Sequence, residues 1–118
     1  MISGIDLGAT IDYVLKDPKE DQSNPTVWKL GIIPSYVYSR IQASENKTDI
    51  GFQICQVGIK GWTNAKDLTF KTDKVKFGTY EIDMIPIELI ARIPERFLAE
   101  LAVKIQNMNN LTEEEEKN

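Results

Sequence analysis

Apolar residues fall along this chain in two rhythms. Towards the C-terminus Phe97, Leu98, Leu101, Ala102, Ile105 and Met108 recur at helical spacing, which puts them on one face of a helix. Ile93-Pro94 opens that run, and proline suits the first turn of a helix. The spacing predicts the longest helix of the chain over about residues 94–109, with Glu100 and Lys104 as an i,i+4 pair on its other side. Earlier segments follow the shorter rhythm. Ile11–Lys16 and Thr26–Ile33 read as strands, joined across a polar loop holding Pro18 and Pro25. They are expected to pair as a hairpin.

Pro34-Ser35 predicts a short helix to about Ala43, with Val37 and Ile41 on its inner face. Asp49–Lys60 fits both rhythms. Ile50, Phe52 and Ile54 alternate, whereas Ile50, Ile54, Val57 and Trp62 fit a helical stripe somewhat better. A helix is the preferred reading, with Asp49 as its N-cap and Gly61 as its stop. Thr63–Asp67 reads as a turn. Leu68–Thr72 alternates and predicts a strand terminated by Asp67 and Asp73. Val75–Ile82 predicts a strand or tight hairpin turning at Gly78. Pro86 starts a short helix that ends before Pro94. These elements make one α+β domain over residues 1–118: a small, mostly antiparallel sheet with two or three helices.

After Asn109-Asn110 the pattern predicts a break and a second helix start. Thr112 and Glu115 have capping-box spacing, and Glu113, Glu114, Glu115 and Glu116 sit where a helix N-terminus favours negative charge. Residues 111–118 therefore read as an acidic tail, either solvated or completed by another molecule.

Charge and composition narrow the chemistry. The formal net charge is −4, which disfavours phosphate-backbone binding as the main activity, so no nucleic-acid partner is expected. Without the glutamates of the tail the body would be near neutral. The chain has no histidine, so the commonest general base and metal ligand are missing. Cys55 is the single cysteine, leaving no internal disulfide or thiolate metal site and fitting a reducing compartment. No apolar run reaches the roughly 20 residues a membrane helix needs. The first residues, Met1–Asp6, lack the basic and apolar regions of a secretory signal.

Gly58-Ile59-Lys60-Gly61-Trp62 lacks the spacing of a phosphate loop. Asp17, Glu20 and Asp21 lack the glycine and pattern of a calcium loop and read as a solvated turn. Asn46-Lys47-Thr48 and Asn110-Leu111-Thr112 are formal glycosylation sequons, read here as chance matches. No catalytic, cofactor or metal residue is expected, and the chain reads as a non-enzyme. Trp28 and Trp62 are its largest apolar side chains. They are expected as core anchors or, alternatively, as partner-contact residues alongside Glu113–Glu116.

Taken in order, Pro25–Gly31, Val57–Asn64, Ile93-Pro94 with its helix, and Leu111–Asn118 resemble small tailed-bacteriophage proteins of tail morphogenesis, tail assembly chaperones among them. The likeness touches most of the chain and is one of layout. It implies a cytoplasmic assembly role in an infected bacterium, or residence in the virion, without chemistry. The implied partners are phage structural proteins, such as the tape-measure or tail tube protein, or copies of the chain itself. A permanent virion subunit of head, neck or tail, and a phage-encoded inhibitor of a host protein, are the alternative expectations.

Overall fold

The computed structural model describes residue 4 and residues 6–117, with side chains as far as Asn110. Its elements are β1 (Thr10–Tyr13), β2 (Val27–Gly31), α1 (Ser35–Gln42), α2 (Lys47–Gly58), β3 (Ile59–Thr63), β4 (Asp73–Phe77), β5 (Tyr80–Met84), α3 (Ile87–Ile90) and α4 (Glu95–Lys117). The class is α+β, with two small antiparallel sheets and the longest helix near the C-terminus.

The first sheet has the order β1-β2-β3. Ile11 faces Leu30, Tyr13 faces Trp28, and Trp28 faces Trp62, so these side chains share one face. That face is the core side, where Trp28, Leu30 and Trp62 are buried. α2 and α4 supply the other wall: Ile54, Leu101 and Ile105 are fully buried. At Gly58 the two helices pack closely, because a Cβ there would sit 2.6 Å from Ile105 Cγ2. On α1, Val37 and Ile41 are buried as their spacing predicts.

The second sheet is the β4–β5 hairpin, with Val75 facing Ile82 and Phe77 facing Tyr80. Gly78 takes φ +63 at its turn, a conformation that favours glycine. Its base is tied to α2. The Ile85 amide donates to the Gln56 carbonyl at 3.0 Å, and the buried Gln56 side chain returns a bond to the Ile85 carbonyl at 2.8 Å.

Five local expectations need correction. The α2 cap is Asn46, not Asp49: Asn46 is extended and its side-chain oxygen accepts from the Thr48 amide at 3.0 Å, leaving Asp49 inside the first turn. Gly61 does not stop the helix. α2 ends at Gly58 and the chain runs straight into β3, with the Ile59 amide bonded to the Cys55 carbonyl.

Leu68–Thr72 is not a strand. The segment leaves the turn through positive φ at Asn64 and Asp67, and the Leu68 carbonyl accepts from Trp62 Nε1 at 2.8 Å. Its alternation reflects Leu68 and Phe70 packing half-buried against the core. Asp67 therefore shapes a turn, and Asp73 begins β4.

Glu100 does not pair with Lys104. Its carboxylate accepts from the Tyr13 hydroxyl at 2.6 Å and from the Lys16 and Asp17 amides, closing the end of β1. Burial, then the bond to Glu100, pushes the Tyr13 hydroxyl pKa up to about 12. Lastly, α4 does not break at Asn109-Asn110. Asn109 is buried, donating to the Ile105 carbonyl at 2.8 Å and accepting from the Ile33 amide at 3.3 Å. It serves as a polar pin between α4 and the end of β2 rather than as a stop.

Candidate contact surface

α1 presents two kinds of side chain. With Val37 and Ile41 turned into the core, Tyr36 and Arg40 are left on the exposed side. The turn of the β4–β5 hairpin brings Tyr80 beside them. The Tyr36 and Tyr80 rings lie 6.3 Å apart and tilted by 41°, and the Arg40 guanidinium stands 5.8 Å from the Tyr36 ring centre. Gly78 lies directly against the Tyr36 hydroxyl, so any side chain at that turn would displace the ring. Tyr36 is 47% exposed, Tyr80 38% and Leu7 44%. Together they rim an open cleft of about 720 Å³, floored by Pro34, Ser39 and Asn109.

The cleft carries the hydroxyls of Ser35, Ser39 and three tyrosines, Tyr36, Tyr38 and Tyr80. It offers hydrogen bonds and ring faces, and among the described residues no carboxylate lines it. Tyrosine and serine of this kind give contact area at little conformational cost. A second cleft of about 270 Å³ adjoins it at Leu7 and Tyr80 and reaches Lys60 and Phe70. The Lys60 stem lies across Gly31, where a Cβ would sit 2.8 Å from it. Burial lowers the Lys60 pKa, opposed in part by Asp83.

The residues singled out from sequence lie elsewhere. Trp28 and Trp62 pack edge to face at 5.4 Å in the core, and Trp62 stacks the same way on Phe70 at 5.0 Å. Both are buried, the position of core anchors of the sheet. The side chains of Glu113, Glu114, Glu115 and Glu116, and the Thr112–Glu115 capping box, lie outside the described residues. Asp17 binds Arg96 at 2.6 Å and the Lys19 amide. Asp21 binds Ser23. These contacts account for the two carboxylates as turn-formers. Among the described residues no group of three acidic or cysteine side chains is placed to hold a metal. Cys55 is buried with its thiol on the Leu98 carbonyl, and burial pushes its pKa up to about 12.

Tyr36, Tyr80 and Leu7 went unnoticed in the sequence. One signal was present: Tyr36 is an aromatic residue on the side of α1 away from Val37 and Ile41. Nothing local marks Tyr80 as its neighbour, because the hairpin and α1 meet only through tertiary packing. No family model, no curated protein and no solved structure matches this chain.

Proposed function

We propose that this protein is a non-enzymatic bacteriophage assembly factor, a tail assembly chaperone, working by protein–protein contact in the infected cell. The observation that carries the contact reading is the exposed Tyr36–Tyr80 pair beside Leu7. Exposed aromatic residues clustered around a cleft are the usual anchors of a protein interface. The assignment to phage assembly rests on the layout resemblance alone.

The test uses purified tape-measure and tail tube proteins of the phage that encodes the chain. The parent should bind one of them, and Tyr36→Ala with Tyr80→Ala should weaken that binding at least about tenfold, as loss of an interface anchor does. Circular dichroism must show both variants folded. Equal binding by parent and double variant removes this surface from the mechanism. Absence of binding to either protein removes the chaperone reading. Mass spectrometry of purified virions decides residence: a stoichiometric signal makes the chain a virion subunit instead.

A further inference from the structure

The core face of the first sheet does not stop where its cover stops. β1 is one of the sheet's two edge strands, pairing with β2 alone among the described residues. Ile11 projects on the same face as the buried Leu30, yet it is 38% exposed. On α4, Val103 is 56% exposed. Between the end of β1 and α4 runs a groove of about 390 Å³, lined by Tyr13, Lys16, Glu100, Val103, Lys104 and Asn107.

The edge also lacks the usual guards. β1 contains no proline and no lysine, and its one charge, Asp12, is held by Lys29 at 3.1 Å on the opposite face. The charges beside the groove are unevenly matched. Glu100 is engaged by Tyr13 and the two backbone amides after β1. Lys16 has no carboxylate partner among the described residues, and Lys104 has only the Tyr13 ring, at 5.7 Å. The groove is therefore lined by one exposed valine, two lysines in no ion pair among the described residues, and one carboxylate already taken up by hydrogen bonds.

We infer that the β1 edge takes up an extended segment of a partner protein as a fourth strand. Its inward side chains would be apolar over Ile11 and Val103 and acidic beside Lys16 and Lys104. Main-chain bonds to β1 would supply affinity, and the alternate side chains would supply selection. This site lies apart from the Tyr36–Tyr80 cleft, and it stands or falls separately from the assembly role.

The probes are two blocked hexapeptides, Glu-Thr-Val-Thr-Val-Thr and its reversed order, which cover both strand directions, each with a lysine-for-glutamate control. Titrations are followed by the backbone amide resonances of Thr10–Tyr13. One acidic peptide should shift those resonances, and the shift should weaken with salt. Lys16→Glu with Lys104→Glu should weaken acidic-peptide binding at least about tenfold and make the lysine peptide the better ligand. N-methylation of the amides on one side of the bound peptide should abolish binding, and on the other side should spare it.

Three results overturn the inference. The first is the absence of β1 shifts with either peptide. The second is equal binding by both N-methylated forms. The third is a β1 shift that grows with protein concentration alone, with a doubled mass in sedimentation, which would give the edge to a second copy of the chain.

Discussion

The two antiparallel sheets of this protein are built from similar strands and end in different states of cover. Each has one apolar face. In β1–β2–β3 that face lies under α2 and α4, and Trp28, Leu30 and Ile59 are at most 3% exposed. In the β4–β5 hairpin, burial fades along its length. Met84 and Ile82 near the base are buried, Val75 and Phe77 are half-buried, and Tyr80 beside the turn is 38% exposed. An isolated two-stranded hairpin is marginal in water, so this one depends on what it touches. Its base is tied to Gln56 and its tip touches Tyr36. The difference teaches that alternation decides which side chains of a strand share a face, while the helix above decides whether that face is core or surface.

The strongest way to break this contrast is at the cover. Leu101 is fully buried on α4, so Leu101→Ala should cost about 2–5 kcal/mol. Thermal unfolding of the variant at the parent temperature would mean that α4 does not roof the first sheet.

The seam between α2 and α4 gives the next effect. Gly58→Ala places a methyl 2.6 Å from Ile105 Cγ2, and overpacking of this kind costs about 1–3 kcal/mol. Ile105→Ala removes both γ-carbons and Cδ1 that the methyl would meet, so the losses of the two single variants should be less than additive in the double variant if the clash is the cause. A Gly58→Ala protein as stable as the parent would show that the seam has slack.

A smaller effect is expected in the hairpin. Val75→Ala should cost less than about 1.5 kcal/mol, because only part of the side chain leaves water. In native-state hydrogen exchange the amides of β4 should exchange by local opening, while those of β2 exchange only with global unfolding. Equal protection in the two sheets would erase the contrast.

Legibility followed the same division. α4 was readable because its apolar face is local and long, and α1 because Val37, Ile41 and the prolyl start agree. The β1–β2 pair and the Gly78 turn were readable from alternation and glycine. Leu68–Thr72 misled because alternation reports which side chains face inward and not whether the backbone finds a ladder. Its Leu68 carbonyl bonds to an indole, a partner no local pattern contains. Gly61 and Asn109 misled for a related reason. Local pattern makes glycine and asparagine stops, whereas Gly61 lies inside β3 opposite Lys29 and Asn109 pins α4 to Ile33. The contact surface was the least readable part, since Tyr36, Tyr80 and Leu7 meet only in the folded chain.

The smallest expected effect on stability is at the end of α4. Buried contacts of the helix are described as far as Asn109, whose side chain reaches Ile33. Truncation after Asn110 keeps every one of them and removes the acidic segment, Glu113–Glu116 included. Its effect on folding should lie within about 0.5 kcal/mol, the range of surface substitutions. Binding to the proposed phage structural partner should weaken, and more so at low salt, because attraction between charged groups is screened by salt. The measurement is chemical denaturation of both chains together with pull-downs at two ionic strengths. Equal recovery at both salts would place recognition wholly on the folded body, with the Tyr36–Tyr80 cleft and the β1 edge as its candidates. A large loss of stability would mean that the residues beyond Asn110 pack on the domain itself, and the roof of the first sheet would then extend past the helix segment that Leu101 and Ile105 define.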